Sequence, residues 1–451
     1  MKSWKMSLVI GMRNRELIKS AILIILVLIS VFMTYRVWTF TPELTDLETD
    51  VNTETPSIGP KISKPIDSVI MPFRMINRNG TDVKGTSNVK DIKKITDQLL
   101  SKEVKKVDIL SSESVVQLED LSERYTILDF PDSIPSEMYL NQVLGMNMDY
   151  YPNINFDRIL VDTKSTKEAV VYLLSENKQK AVKLQTNIKS TQFDKVNKEA
   201  APDLKPYTGM ITNETTTNEI YQIYAPENAD NMNIYRYVSN KISVSELNAV
   251  ILGDSVIARS NEHNVSTYNN NTGISTVNEA KQTYRYTNLS EDENRQKDMS
   301  KSITNSFKFI NEHAGYTDEF RLFGTDRKSG KIDYQMFLNN YPVFNDDKLS
   351  SIEAVWGRDT INEYNRGLIT TGVAVPSKKE ADELPSSEKV RFNLASNGSI
   401  DFNKVTNLAI GYDLSLPKDE INNLQDTIEF TPKWYIKYDG EWKRYENGGL
   451  S

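Results

Sequence analysis

Residues 21–29 read Ala21-Ile22-Leu23-Ile24-Ile25-Leu26-Val27-Leu28-Ile29, and they form the centre of an apolar run that extends from Ile18 to Val37. No charged residue lies between Lys19 and Arg36. A membrane-spanning helix needs about 20 predominantly apolar residues. Long cationic side chains at the two ends can reach outward to the lipid headgroups. The run therefore predicts a transmembrane helix over residues 18–38.

The charges on the two sides of this run are asymmetric. Basic residues precede the run and acidic residues follow it: Lys2, Lys5, Arg13, Arg15 and Lys19 on one side, Glu43, Asp46, Glu48 and Asp50 on the other. Positive charge favours the cytoplasmic side. Residues 1–17 are therefore predicted to form a cytoplasmic tail, and the chain beyond about residue 40 is predicted to be extracytoplasmic.

Two alternatives concern the start of the chain. A cleaved signal peptide would end in a small-x-small site, and Phe32-Met33-Thr34-Tyr35-Arg36-Val37-Trp38 offers none, so an uncleaved anchor is favoured. Translation could also start at Met12, because Met12-Arg13-Asn14-Arg15 still provides a short basic tail.

Composition excludes several classes of function. The chain has 451 residues, a formal net charge of -8, no cysteine and only two histidines, His263 and His313. Thiol catalysis, thiolate metal sites and histidine-rich zinc sites are therefore excluded. The negative charge and the lack of a basic stripe argue against nucleic-acid binding. No metal and no cofactor are expected.

The remaining chain predicts an α+β fold, with antiparallel sheets and packed helices in a multi-domain body. Proline, threonine and acidic residues indicate a linker over residues 39–65. Three domains are predicted after the linker: 66–155, 156–289 and 290–451.

Local patterns predict elements in each domain. The N-terminal domain should contain a strand over Asp67–Ile76 and a helix over Ser87–Leu100, capped by Ser87. The central domain should contain a three-stranded meander: Arg158–Val161, Ala169–Leu174 and Ala181–Gln185.

In the C-terminal domain, Ser290-Glu291-Asp292-Glu293 is a capping box that predicts a helix from Ser290 to Glu312. The strongest local signal is the final hairpin, in which Asp439-Gly440 supplies a two-residue turn between Trp434–Tyr438 and Glu441–Tyr445.

An extracellular serine enzyme of the penicillin-recognising type is one functional alternative. Its chemistry requires Ser-x-x-Lys, Ser/Tyr-x-Asn and Lys-Ser/Thr-Gly, and the chain contains Ser87–Lys90, Tyr268–Asn270 and Lys328–Gly330 in that order. Ser175–Lys178 and Ser386–Lys389 match the first pattern equally well, so chance matches are favoured.

No other residue pattern indicates a catalytic site. His263 lies in a polar loop, and His313 should end a helix, where an imidazolium interacts favourably with the helix dipole.

A second alternative is a cell-wall-binding protein with a sugar platform of Trp434, Tyr438 and Trp442. Cross-strand packing is the favoured explanation of these aromatic residues.

Ser30 and Thr34 give the transmembrane helix a small-x-x-x-small face that could contact another helix. Hydrogen bonds to their own helix backbone would explain the pair equally well.

Several segments taken together resemble the YycH (WalH) family. They occur in order along nearly the whole chain: Ile18-Lys19-Ser20 with Thr34-Tyr35-Arg36-Val37-Trp38, Thr267-Tyr268-Asn269-Asn270-Asn271-Thr272-Gly273, Tyr286-Thr287-Asn288-Leu289-Ser290-Glu291-Asp292-Glu293, Phe320-Arg321-Leu322-Phe323, Tyr334-Gln335-Met336-Phe337-Leu338-Asn339-Asn340-Tyr341-Pro342-Val343-Phe344, and Tyr438-Asp439-Gly440-Glu441-Trp442.

The resemblance implies a single-pass membrane protein of Gram-positive bacteria without catalytic residues. It implies an accessory regulator that acts on the WalK (YycG) sensor kinase of an essential cell-wall two-component system, together with the related protein YycI. Contacts partly through transmembrane helices are implied as well. A homo-oligomer, the sign of regulation and any extracellular ligand stay open.

Overall fold

The structure is a computed structural model that describes residues 23, 25–30, 57–59, 63–111, 114–115, 118, 124–162, 167–175, 180–211, 222–229, 232–253, 257–262, 264–291, 298–376, 381–416 and 427–451. The chain divides into two units, Met1–Glu54 and Thr55–Ser451. The following paragraphs on strands and helices concern the second unit, here called the body.

In the first unit, Leu23 and residues 25–30 are helical and exposed. No helix within the described ranges combines the length and the apolar character that a bilayer crossing requires. Most of the predicted span over residues 18–38, the tail 1–17 and most of the linker 39–65 lie outside the described residues. The transmembrane helix and the tail therefore stay predictions.

The N-terminal part of the body is built on a nine-stranded sheet. In space its strands follow the order β3-β7-β6-β5-β4-β1-β2-β8-β9. The strands are β1 Arg74–Asn79, β2 Asp82–Thr86, β3 Val104–Leu110, β4 Arg124–Pro135, β5 Asn155–Asp162, β6 Glu168–Ser175, β7 Ala181–Lys189, β8 Lys205–Ile211 and β9 Gln222–Pro226. Its helices are α1 Ile66–Val69, α2 Val89–Thr96, α3 Ser136–Met138 with a π-helical turn over Tyr139–Val143, and α4 Ser190–Ala200. We call this part, residues 66–226, the N-terminal lobe.

The predicted meander is confirmed as β5, β6 and β7, which pair in sequence order. The predicted strand over Asp67–Ile76 is wrong in its first half. Pro65 precedes the short helix α1, and Pro72, which has no N–H to donate, keeps the strand from starting before Arg74. The predicted helix Ser87–Leu100 is shorter, and its cap is Asn88, whose side chain accepts a hydrogen bond from the Lys90 amide.

The C-terminal part of the body, residues 235–450, is the C-terminal lobe. Its strands are β10 Tyr235–Lys241, β11 Ile257–Glu262, β12 Val265–Asn269, β13 Gly273–Asn278, β14 Thr283–Asn288, β15 Phe320–Asp326, β16 Lys331–Leu338, β17 Tyr341–Phe344, β18 Ser351–Trp356, β19 Ile361–Gly367, β20 Ile369–Val375, β21 Val405–Ser415, β22 Thr427–Tyr438, β23 Glu441–Glu446 and β24 Gly449–Leu450. Its helices are α5 Val244–Ile251, α6 Met299–Glu312 and α7 Ser387–Ser396.

These strands form one sheet, with the order β11-β12-β13-β14-β19-β18-β16-β17-β21-β22-β10-β20. Strand β15 pairs with β16, and β23 pairs with β22. Strands β17 and β21 run parallel, whereas the other described strand pairs of this lobe are antiparallel. The α+β class with largely antiparallel sheets is therefore confirmed for the described residues.

The predicted start of helix α6 at Ser290 is wrong. The helix begins at Met299, and Asp298 accepts hydrogen bonds from the amides of Ser300 and Lys301. The Ser290 amide and hydroxyl instead bond to the Asn288 side chain, which closes a local turn.

The final hairpin is confirmed. Asp439 and Gly440 have φ values of 53° and 85°, as a two-residue turn of type I′ requires, and Tyr438 pairs with Glu441 across it.

One hydrophobic cluster joins the two lobes. It includes Leu128 and Phe156 of the N-terminal lobe and Ile303, Leu322 and Tyr334 of the C-terminal lobe, all with at most 4% exposure. The predicted domain boundaries after residues 155 and 289 stay predictions.

Candidate functional site

A buried charge network crosses from one lobe to the other. The Asp129 carboxylate accepts hydrogen bonds from Arg74 Nε at 2.6 Å and from Arg158 Nε at 2.8 Å. Arg74 also donates to the Leu408 carbonyl at 2.8 Å and to Asn407 Oδ1 at 2.7 Å, both on β21. Burial alone would raise the pKa of Asp129, but the two guanidinium groups hold it below its usual range.

A second connection comes from a bulge in β4, where the pairing with β5 is interrupted between Asp129 and Ile134. Asp132 in this bulge accepts a hydrogen bond from the Thr325 amide at 2.9 Å. Its carboxylate also lies 3.0 Å from Lys437 Nζ. The same ammonium donates to the Pro131 carbonyl at 3.0 Å. The bulge is thereby fixed between strands β15 and β22 of the C-terminal lobe.

Beside this bulge lies an open cavity of about 830 Å³, which we call the junction cleft. Strands β15, β16 and β18, the final hairpin and Asp132 of β4 provide its walls. Six carboxylates and four lysines line it: Asp132, Asp326, Asp333, Glu353, Asp439 and Glu441, with Lys328, Lys331, Lys348 and Lys437. Its volume falls within the range of ligand-binding clefts in proteins.

Asp333 lines the junction cleft and pairs with Gly324 across strands β15 and β16. A Cβ atom at residue 324 would lie 3.2 Å from Asp333 Oδ2 and 3.7 Å from Asp132 Oδ2. The glycine thus lets the two carboxylates approach the same point of β15. Asp333 lies 3.3 Å from Lys331 Nζ, which is also 3.5 Å from Glu353.

The two carboxylates that share Lys331 have opposite pKa shifts. Burial raises the pKa of Asp333 to about 6; Lys331 partly counteracts this effect, and Glu353 adds to it. Glu353 is also partly desolvated, but its contacts with Lys348 and Lys331 hold its pKa below the usual range. Of these two carboxylates, Asp333 is therefore the one whose negative charge is less well compensated.

Aromatic side chains also line the junction cleft. The ring centroids of Phe323 and Trp442 are 5.4 Å apart, and those of Phe323 and Phe344 are 5.7 Å apart. Phe344 also stacks on Tyr435, with centroids 3.9 Å apart. These contacts favour the packing interpretation of Trp442. Trp434 is 1% exposed and donates its indole N–H to the Pro385 carbonyl, so Trp434 does not belong to a surface platform.

The three serine-enzyme motifs line no common cavity in the described part of the chain. Ser87 borders a cavity of about 20 Å³ together with Tyr207 and Tyr341. Tyr268 lies in β12, and Lys328 lies in the turn between β15 and β16. Ser386 is the N-cap of α7 and accepts from the Lys389 amide. Lys178, of the Ser175 match, lies outside the described residues.

His313 ends helix α6 as its C-cap, as predicted, but its burial favours the neutral imidazole over the predicted imidazolium. The ring is 4% exposed, and burial, together with the charge of Arg366, lowers its pKa to about 3. Its Nδ1 lies 2.6 Å from the Phe309 carbonyl and its Nε2 lies 3.2 Å from the Tyr364 hydroxyl. A neutral imidazole that donates from Nδ1 satisfies both partners. His263 lies outside the described residues.

The predicted helix contact, Ser30 and Thr34, is not tested. Ser30 is exposed in the helical segment of the first unit, and Thr34 lies outside the described residues. Sequence reasoning missed the junction cleft altogether. Its only local signal is the pair Lys331-x-Asp333, which places two charges on one face of a strand.

The fold and the site define a class: two-lobed α+β proteins with an open, charged cleft where the lobes meet, and with no metal-binding cluster among the described residues. Two family models match the chain, "YycH protein, N-terminal domain" over residues 16–202 and "YycH protein, C-terminal domain" over residues 221–447. The chain belongs to the YycH family, as the resemblance predicted. This is not a known enzyme family.

Similarity to individual proteins extends over nearly the whole chain. A curated relative is "Two-component system WalR/WalK regulatory protein YycH" from Bacillus subtilis (strain 168), with 24% identity covering 95% of this chain and 96% of the relative. The crystal structure of YycH from Bacillus subtilis aligns with a TM-score of 0.66 and 17% identity, covering 86% of this chain and 98% of that chain. The second comparison supports the fold.

Proposed function

We propose that this protein is a membrane-anchored, extracytoplasmic accessory regulator that modulates the WalK (YycG) sensor kinase of a cell-wall two-component system, together with YycI. The observation that carries the proposal is the near full-length similarity to a regulatory protein of WalR/WalK. The apolar run over residues 18–38 supports the anchor, and the charge asymmetry around it supports a cytoplasmic N-terminus and an extracytoplasmic body.

Regulation requires a difference in binding free energy. An accessory protein can shift a kinase between two signalling states only if it binds them with different affinities. Packing between helices in lipid depends on small residues that allow close approach. Ser30 and Thr34 are therefore the proposed contact of the membrane helix with the kinase or YycI.

The test replaces Ser30 and Thr34 with leucine in the full chain and measures association with WalK and with YycI in a membrane two-hybrid assay. We expect a loss of about 1 kcal/mol for each interhelical hydrogen bond removed, or roughly fivefold in affinity. The matched control replaces Val27 and Val31, also four residues apart, with leucine and should keep association intact.

A second arm replaces residues 18–38 with an unrelated membrane span. Unchanged association in the leucine variant would remove this helix face from the proposal. Unchanged association after replacement of the whole span would assign the contact to the body, and no association of the unaltered chain at equal expression would refute the proposed function.

A further inference from the structure

The first described residues of the body pack against the end of helix α6. Ile58 is 7% exposed and belongs to the hydrophobic cluster that joins the lobes. Its amide donates a hydrogen bond to the His313 carbonyl at 3.1 Å. The carbonyl groups at the C-terminal end of an α-helix have no partner within the helix. An amide from the start of the body therefore completes the end of α6.

A second contact with the same helix follows at Ser63 and Lys64. The Asn311 side chain, in the last turn of α6, accepts a hydrogen bond from the Lys64 amide at 2.8 Å. It also donates to the Lys64 carbonyl at 3.0 Å and to Ser63 Oγ at 3.1 Å. One side-chain amide thus binds both polar backbone groups of Lys64. We call Ile58, Ser63 and Lys64, together with Asn311 and His313, the clasp.

Among the described residues of the body, the clasp is the part that the chain reaches first after the predicted membrane span. Helix α1, which belongs to the N-terminal lobe, starts only at Ile66. The chain is therefore held by the C-terminal lobe before it enters the N-terminal lobe. Lys64 and Asn311 are 247 residues apart, so the clasp can form only when the two ends of the body have folded together.

Helix α6 carries the clasp at its end and contacts both lobes along its length. Ser306 Oγ lies 2.8 Å from Tyr334 Oη on β16. The Thr304 hydroxyl donates to Gln142 Oε1 of the N-terminal lobe at 2.7 Å. Coupling between distant sites is carried by packed side chains and rigid elements. A change in either lobe that displaces α6 would therefore displace the clasp.

Few interactions hold the clasp closed. Within residues 57–59 and 63–64, one buried apolar side chain, Ile58, and four hydrogen bonds connect the chain to α6. Ser63 is exposed. Segments with few buried apolar contacts open locally at a lower free energy than global unfolding requires. The clasp can therefore open while the lobes stay folded, which provides the two states that a coupling element needs.

We propose that the clasp couples the body to the membrane helix. When it is closed, the chain that follows the membrane helix is fixed to α6, and a change in the body is passed on to that chain. When it is open, the two are joined by chain alone. The inference rests on the proposed function, because it assigns the route by which the body acts on the kinase. A partner that binds the closed and open states with different affinities would shift the regulation.

The first test measures opening of the clasp and does not involve the kinase. The chain has no cysteine, so Ile58→Cys places a single thiol under the clasp, and maleimide labelling of the full chain in lipid nanodiscs reports its exposure. Asn311→Ala in this background removes three of the four hydrogen bonds, and we expect roughly tenfold faster labelling. The matched control is Asn305→Ala, at an asparagine of the same helix whose side chain has no hydrogen-bond partner among the described residues.

Two labelling results would overturn the proposal. Labelling of Ile58→Cys at the rate of the urea-unfolded chain would show that the clasp is not closed. Equal rates with Asn311→Ala and Asn305→Ala would show that Asn311 does not hold it. Circular dichroism checks that each variant is folded.

Hydrogen exchange of the unaltered chain tests the same opening without any substitution. The amides of Ile58 and Lys64 should exchange more slowly than in the unfolded chain and roughly tenfold faster than the amide of Ile303 within α6. Exchange as slow as at Ile303 would show that the clasp opens only when the body unfolds, and would overturn the proposal.

The second test measures the coupling. The full chain is reconstituted with WalK and YycI in proteoliposomes, and the rate of kinase autophosphorylation is measured. We expect Asn311→Ala to lose most of the change in rate that the unaltered chain causes, and Asn305→Ala to keep it. A full effect from an Asn311→Ala chain whose clasp labels rapidly would overturn the coupling and leave the proposed function intact. No effect of the unaltered chain would refute the proposed function itself.

Discussion

At the scale of single residues, burial shifts the pKa of two groups with opposite consequences for stability. The pKa of His313 is lowered to about 3 in the folded protein, so the unfolded chain binds more protons between about pH 3 and the usual histidine value of about 6.5. The stability that the buried, neutral His313 contributes is therefore present above about pH 6.5 and is lost as the pH falls below it. The pKa of Asp333 is raised to about 6. The folded protein therefore binds more protons between about pH 4 and pH 6, and stability from this group increases as the pH falls.

The two contributions oppose each other between about pH 4 and pH 6, and removal of Asp333 should reveal the contribution of His313. For each pH unit of acidification, the free energy of unfolding of Asp333→Asn should fall by about 1 kcal/mol more than that of the unaltered chain. Urea unfolding followed by far-ultraviolet circular dichroism at several pH values measures this difference. Asp82→Asn serves as the control, and parallel curves for Asp333→Asn and the unaltered chain would contradict the raised pKa.

At the scale of elements, the final hairpin depends on its turn. Gly440 has a φ value of 85°, a conformation that costs an L-amino acid roughly 1–2 kcal/mol. Gly440→Ala should therefore lower the free energy of unfolding by about 1 kcal/mol and speed up hydrogen exchange of the β23 amides.

Gly398→Ala is the matched control for this substitution. A Cβ atom at residue 398 would meet no atom within 4 Å, so we expect a change within about 0.5 kcal/mol. Equal effects of the two substitutions in urea unfolding would show that the turn conformation does not limit the stability of the hairpin.

Elements whose signals are local were predictable from the sequence. The hairpin carries its turn residues between two alternating strands, and the meander consists of consecutive apolar strands, so both predictions were confirmed. The start of α6 was not predictable, because Ser290 and Glu291 of its apparent capping box have other partners. The Glu291 carboxylate accepts hydrogen bonds from the amides of Arg358 and Thr360, in a loop that only the folded chain brings near.

The junction cleft could not be predicted from the sequence either, because it too depends on contacts between residues that are far apart in the chain. Asp132 and Thr325, which are bonded at its edge, are 193 residues apart in the chain. Neither residue belongs to a recognisable motif, and the bulge that presents Asp132 has no repeating pattern of apolar residues. Apolar periodicity and turn residues predict structure formed by residues close together in the sequence, whereas this site depends on contacts between strands that are distant in the sequence.

At the scale of the whole molecule, the charge network around Asp129 should make the two lobes unfold together. Asp129→Asn leaves the buried guanidinium groups of Arg74 and Arg158 without their shared carboxylate. Loss of one partner from a buried ion pair costs about 3–5 kcal/mol. We expect the urea transition followed by tryptophan fluorescence to shift together with the transition followed by circular dichroism.

Within the body, tryptophan fluorescence reports the distant lobe in this experiment. The tryptophans of the described body, Trp356, Trp434 and Trp442, all lie in the C-terminal lobe, whereas Asp129 lies in the N-terminal lobe. Asp82→Asn, in the same lobe but exposed, should shift neither transition appreciably. A fluorescence transition that stays in place while circular dichroism becomes biphasic would show that the lobes unfold independently.

The hydrogen bonds from Arg74 to β21 and the ion pair of Asp132 with Lys437 also constrain when the chain can fold during its synthesis. Asn407 follows Arg74 by 333 residues, and Lys437 follows Asp132 by 305 residues. During synthesis the N-terminal lobe emerges first, with Phe73 and Arg74 still lacking their partners from the other end of the chain. Contacts of such long range make folding slow. The body therefore reaches its native state only after the ribosome has added the last strands, and an early, unfinished chain exposes apolar surface for the whole of that interval.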